Sequence, residues 1–241
     1  MNDDIRGRIF SLLFYIPAFV AALTVHEFAH AWAGHRLGDD TARRLGRLTL
    51  DPMAHLDPFG CLVMVFSVLS RLPLIGWAKP VPFNPRNLEH PRRDGMLIAL
   101  AGPISNLIQV PIWLLALTLL RLAMAQGNPG FSLAVLNTMS GQPDLGNVGA
   151  LFGAMLAMGV ITNLAIATFN MIPIPPLDGH WILEALGPPA VTDLYNSIRP
   201  WSFLLLYALL WTGAVSAILG PVYRLAYQFI ALALGFPMNA L

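Results

Sequence analysis

The chain has 241 residues, of which 56% are hydrophobic and only 11% charged, whereas an average globular domain carries about a quarter charged residues. That composition is expected of an integral membrane protein rather than a soluble one. A net charge of +1 offers no basic field to nucleic acid, so no such partner is expected, and the lone Cys61 excludes an internal disulfide or a metal shared between cysteines.

At the N-terminus Asp3 and Asp4 sit beside Arg6 and Arg8, and the apolar run that follows leads into a polar motif rather than a small-residue cleavage site. A removable signal peptide is therefore not expected. The uncharged stretches 9–25, 95–120, 145–177, 200–223 and 225–241 are near or above the roughly 20 residues that cross a hydrocarbon core as helix. The expected fold is an α-helical polytopic membrane protein of five to six transmembrane helices. A single membrane-embedded domain covers 1–241, with spans near 8–36, 95–121, 146–172, 200–220 and 221–237. Residues 58–70 are apolar but too short before Arg71 for an ordinary crossing, which suits a buried or re-entrant segment.

Nine of the fourteen Lys and Arg residues lie between Arg36 and Arg93, and none lies between 122 and 198. The positive-inside rule puts 36–93 in the cytoplasm. If 58–70 does not cross, the first and third spans both run inward and end at one depth. Within the region 41–90 a small β-sheet or re-entrant segment is expected at the cytoplasmic side. The alternation in 44–50 reads as a strand, and the proline-rich 77–83 reads as an extended edge segment.

His26-Glu27-Phe28-Ala29-His30 sets two imidazoles roughly 40° apart around a helix axis and about 6 Å apart along it. Both can face one zinc ion, and the glutamate between them can take a proton from water that the metal acidifies. Ionisable groups on one turn of a spanning helix cost about 2.5 kcal/mol or more each for acidic side chains at mid-bilayer, which argues for a function that compensates. A catalytic zinc needs a third protein ligand. Asp178 is the first charged group after 33 uncharged residues, and the prolines at 173, 175 and 176 must end the preceding helix. The shared inward direction of spans one and three brings Asp178 to the depth of His26 and His30.

Together with Ala101-Gly102-Pro103-Ile104-Ser105-Asn106 and Asn170 through Gly179, the histidine motif resembles the site-2 protease family of intramembrane zinc metalloproteases. Gly46-Arg47, Asp51-Pro52, the run from His55 to Pro58 and the run from Gly76 to Pro82 are similar to that family too. The resemblance implies one Zn2+ per chain held by His26, His30 and Asp178, Glu27 as general base, and a supporting or transition-state role for Asn170. It also implies transmembrane protein substrates in a lipid bilayer, cut in regulated intramembrane proteolysis. No stretch resembles a PDZ or nucleotide-sensing CBS domain, so the chain reads as a minimal catalytic core in the cell membrane, with its active site nearer the cytoplasm.

The other polar residues have plainer readings. His35 is expected at the surface, His55 in a structural hydrogen bond, His90 in solvent, and His180 either near the metal or facing solvent. Gly102 reads as a helix-packing glycine and Asn106 as an interhelical or a catalytic amide; Glu184 is either a buried carboxylate or a cytoplasmic one. Asn106 and Asn170 could line a water path to the zinc. An unwound substrate could pair with 44–50 or with 79–84 by strand addition. The competing class is a zinc transporter or membrane zinc-binding protein with the same ligands; repeated halves or a second polar site would mark a transporter, and neither is found. An inactive relative that only binds membrane proteins is argued against by the intact base and three ligands.

Overall fold

The computed structural model describes residues 3–70, 77–125, 130–142 and 146–237. Gly76 of the 76–82 motif, Arg71 and the last residues of the 225–241 stretch lie outside them. The described residues are dominated by helices. The first, α1 (Asp3–Arg36), carries the histidine motif near its end, and two single-turn helices follow, α2 (Thr41–Arg44) and α3 (Pro52–His55). The latter starts where Asp51 accepts from Met53 N and Pro52 occupies the first helical position. Helix α4 (Pro58–Ser70) has 13 residues, about 20 Å at 1.5 Å per residue and short of a hydrocarbon core.

The long helices come next. Helix α5 (Pro91–Ala125) contains Pro103 and Pro111. Helix α6 (Phe131–Met139) lies in the connection that the sequence leaves without an element. Helix α7 (Val148–Asn170) begins where Asn147 accepts from Ala150 N at 3.0 Å and ends before the prolines of 173–176. Three shorter helices, α8 (Gly179–Leu186), α9 (Pro189–Ile198) and α10 (Ser202–Trp211), lead to α11 (Ala214–Ala233). The apolar stretch 200–223 is thus two helices, divided at Gly213, whose φ of 76° lies in the left-handed region.

Among the described residues three helices are long and apolar enough to cross a membrane: α5, α7 and α11. Helix α7 is the mostly buried one of the three, and α1, α5 and α11 pack around it. The core joins α5, α6, α7 and α11 through Leu117, Phe131, Val135, Val160 and Ile230. Small residues on α7 allow the close approach: a Cβ on Gly159 would lie 2.5 Å from Cε3 of Trp113. On the opposite side of α5, Ile104, Leu107, Ile108, Ile112, Leu115, Leu119 and Leu122 are exposed. That is a continuous stripe at helical spacing, of the kind that faces hydrocarbon.

The small sheet is absent among the described residues, which hold one isolated antiparallel bridge, Leu56 to Ala78. The strand expected at 44–50 is a helix end and a turn instead. Gly46 takes a φ of 70°, and Arg47 N donates to Ala42 O, which closes the turn. The alternation that suggested a strand is inverted in burial, with Leu45 and Leu50 exposed and Arg47 buried.

Candidate active site

Helix α1 presents His26 and His30 to the junction of α5 with the loop that follows α7. The two rings lie 4.6 Å apart and nearly perpendicular. His30 Nδ1–H donates to Ile98 O at 2.7 Å, a carbonyl that can only accept. His26 Nδ1–H donates to Asn106 Oδ1 at 2.6 Å. The role of that oxygen is fixed in turn, because Asn106 Nδ2 donates to Ala22 O at 3.1 Å and to Asn163 Oδ1 at 2.8 Å. Asn163 Nδ2 ends the chain on Gly159 O at 2.8 Å.

With both Nδ1 protons committed, each neutral imidazole turns the Nε2 lone pair inward. The two Nε2 atoms are 3.0 Å apart, and Asp178 Oδ2 lies 3.3 Å from one and 3.4 Å from the other. This carboxylate oxygen is buried and has no hydrogen-bond donor. Three electron-rich atoms therefore converge without a donor, an arrangement that calls for a cation. Ligand atoms about 2.0–2.1 Å from a tetrahedral zinc would be about 3.3 Å apart, so the donor set and the spacing fit that metal. Among the described residues, His26, His30 and Asp178 form a group able to hold a metal ion.

The sequence dictates how Asp178 arrives there. Prolines end α7, and Gly179 lets the chain fold back on it: a Cβ there would lie 2.6 Å from the carbonyl carbon of Met171. Tyr195 of α9 donates to Pro173 O at 3.1 Å, and Arg92 at the start of α5 caps α8 by donating to the carbonyls of Glu184 and Gly187. Both tie down the loop and the helix that flank Asp178. Nothing in the local sequence marked Tyr195 or Arg92 for this role.

Gly102 is more than a helix-packing glycine. Its added Cβ would lie 2.5 Å from Cε1 of His30 and 2.6 Å from Cε1 of His26, so the glycine makes the room in which the imidazoles meet. Its neighbour Pro103 lacks the N–H that would bond Ala99 O. Asn106 is fully buried and its amide fully engaged, so it orients the His26 ring. Asn163, which the sequence reading passed over, holds Asn106. Its signal was a second amide in an apolar span, two turns before Asn170.

Glu27 is buried, and its Oε2 accepts from Val81 N at 3.1 Å. Asn170 is the last residue of α7, directly before the loop, and its Nδ2 donates to Ile166 O at 3.1 Å. His180 does not face solvent: it is buried, and its Nδ1–H donates to Leu177 O at 2.6 Å. Burial lowers its pKa, which favours a neutral ring. His55 is also buried and donates from Nε2 to Thr49 O at 2.8 Å, while His35 pairs with Asp40 at 2.7 Å. The Glu184 side chain is largely buried, 3.9 Å from Arg199.

A helical bundle with two histidines one turn apart, a carboxylate brought to them by a proline loop and an acid between the histidines defines a metallopeptidase-type centre. The chain belongs to peptidase family M50, whose model matches residues 14–212. It is 34% identical over 209 residues to the "Putative zinc metalloprotease YwhC" of Bacillus subtilis, covering 87% of this chain and 85% of that one. It is 27% identical over 201 residues to the "Putative zinc metalloprotease Rip2" of Mycolicibacterium smegmatis, covering 83% and 68%. Rip2 of Mycobacterium tuberculosis is 30% identical over 171 residues, 70% of this chain and 55% of that protein. No solved structure matches the chain.

Proposed function

We propose that this chain is an intramembrane zinc metallopeptidase that cuts membrane proteins in or near their transmembrane segments. The observation that carries the reading is the convergence of His26 Nε2, His30 Nε2 and Asp178 Oδ2 with no donor among them. When bound, zinc supplies an acidified water and polarises the scissile carbonyl. Glu27 takes the proton at its carboxylate and returns it to the leaving amine. Ile98 O and Asn106 Oδ1 hold the two imidazoles in the ligating tautomer. Asn170 Nδ2 is engaged with its own helix, so Asn170 Oδ1 is the atom we assign to supporting the substrate.

The chain runs inward in α1, outward in α5 and inward in α7 in this reading, which sets the site nearer the cytoplasmic side of the cell membrane. The concentration of Lys and Arg between Arg36 and Arg93 supports it, as does the meeting of Asp178 with the two histidines. One membrane-embedded domain over 1–241 makes five to six passages. Helices α5, α7 and α11 supply three, α1 with its uncharged stretch 9–25 is assigned as a fourth, and the shorter apolar α4 and α10 are the candidates for the rest or for re-entrant segments.

A helical substrate must unwind before its carbonyl can reach the metal, and we assign the segment 77–82 as the edge on which it docks. Lys79 and Val81 use their N–H groups inward, on His55 O and Glu27, so by strand alternation the main-chain groups of residues 78, 80 and 82 point the other way. Regulated release of a membrane-tethered factor is the biological role that follows.

The test is zinc content and cleavage of transmembrane peptides by wild type and Glu27→Gln in lipid. About one zinc in each and cleavage by wild type alone is the expected result. Zinc in both, cleavage in neither and zinc flux into vesicles would replace the peptidase by a transporter.

A further inference from the structure

Arg47 is buried while Leu45 and Leu50 on either side of it are exposed. Burying a guanidinium in place of a leucine is unfavourable unless the charge is engaged. The turn that presents it is built for the purpose, with Gly46 in the left-handed region and Arg47 N bonded to Ala42 O. From there Arg47 Nη2 donates to the main-chain carbonyl of Lys79, and the negative charge of Glu27 favours the charged guanidinium against the cost of its burial. Lys79 N donates to His55 O at 2.9 Å, and two residues later Val81 N donates to Glu27 Oε2 at 3.1 Å. Lys79 is therefore gripped at both of its main-chain groups, and the alternate residue Val81 is held by the acid next to the first histidine. Gly60 packs under the start of the same segment, where its Cβ would lie 3.1 Å from Trp77 N.

We propose that Arg47 is a positioning residue for peptide hydrolysis: by holding the Lys79 carbonyl, two residues before the Val81 N–H that Glu27 accepts from, it fixes the docking segment 77–82 against the general base. This rests on the peptidase reading and on the docking role given to 77–82. Among the described residues the Arg47 side chain bonds Lys79 O and makes no hydrogen bond to His26, His30 or Asp178. Its removal should loosen the segment, weaken substrate binding and leave the metal in place. A lysine keeps the charge but loses the planar fork that reaches a carbonyl, so it should rescue only in part.

The experiment compares full-length wild type, Arg47→Gln and Arg47→Lys in lipid by zinc content, by hydrogen exchange at the Lys79 and Val81 amides, and by kcat and KM on a transmembrane peptide. For Arg47→Gln we expect wild-type zinc content, exchange at both amides faster by about tenfold or more, and kcat/KM reduced by about tenfold or more, chiefly through KM. Arg47→Lys should fall between. Unchanged exchange, unchanged cleavage, or loss of zinc in the lysine variant would each overturn the proposal. If Arg47→Gln does not fold, Arg47→Lys carries the same three readouts. If wild type cleaves nothing, the peptidase reading fails, while the exchange measurement still decides whether Arg47 holds the segment.

Discussion

His26 donates its Nδ1 proton to Asn106 Oδ1 over 2.6 Å inside a fully buried amide relay that runs on to Asn163. The relay selects the tautomer whose Nε2 faces Asp178, and it holds the ring against rotation. Second partners of metal-bound histidines are commonly worth about 10–100-fold in metal affinity. Asn106→Leu should therefore weaken zinc binding by about that factor, as measured by competition with a chelator. Asn163→Leu should show a smaller loss in the same direction, because Asn106 keeps its bond to Ala22 O. Equal affinity in wild type and Asn106→Leu would mean that the relay is packing only.

Gly102 gives a sterically sharper test. A methyl group there meets both imidazoles at 2.5–2.6 Å, well inside van der Waals contact, and neither ring can retreat without losing its Nδ1 bond. Gly102→Ala should fold, since alanine favours helix, yet bind zinc at least about tenfold more weakly. Metal content after gel filtration at limiting zinc measures it. Full occupancy in the variant would show that the rings yield.

Much of this centre was legible in the sequence because its residues are expensive where they stand. A His-x-x-x-His pair within an apolar helix and an acid after three prolines are exceptions to the surrounding composition, and the structure brings all three side chains together. Arg47, Asn163 and Gly102 were harder to read. In a chain with apolar residues on both the lipid and the core faces, hydrophobic periodicity does not say which face is buried. The alternation in 44–50 accordingly suggested a strand, where a left-handed glycine and a buried arginine make a turn. Helix α6 was hidden for the same reason, in a connection whose apolar residues pack on α7. The span count shares this difficulty: α4 and α10 are as apolar as a crossing helix but too short, so composition alone overstates the evidence for them.

The outer edge of 77–82 offers a test of substrate docking that leaves the metal alone. Ala78 has a main-chain N–H, whereas Pro80 and Pro82 have none, so a pairing substrate finds one donor and several acceptors along this edge. Ala78→Pro removes that donor and restricts Trp77 before it. Cleavage of transmembrane peptides should fall by about tenfold or more, the value of one or two main-chain hydrogen bonds, with zinc content unchanged. Wild-type cleavage by the variant would remove the docking role from this edge.

Asp39 offers a prediction about stability and pH, outside the membrane-spanning helices. It is buried, and its carboxylate accepts from Thr41 Oγ1 at 2.5 Å, Asn87 Nδ2 at 2.7 Å, Asn84 N at 2.7 Å and Thr41 N at 3.1 Å. Desolvation alone would raise its pKa, but these donors outweigh it, and the folded-state value lies below the ordinary one. A depressed carboxylate contributes stability that is fully present above the unfolded pKa, near 3.9, and is lost as pH falls through the folded value. The network ties the end of α1 to the segment that carries Asn84 and Asn87, next to 77–82. Asp39→Asn should therefore lower the thermal midpoint at pH 7, and its midpoint should fall less steeply than that of wild type as pH is taken below about 4. Parallel curves for the two proteins over that acid range would mean that the charge on Asp39 is not what holds the segment to α1.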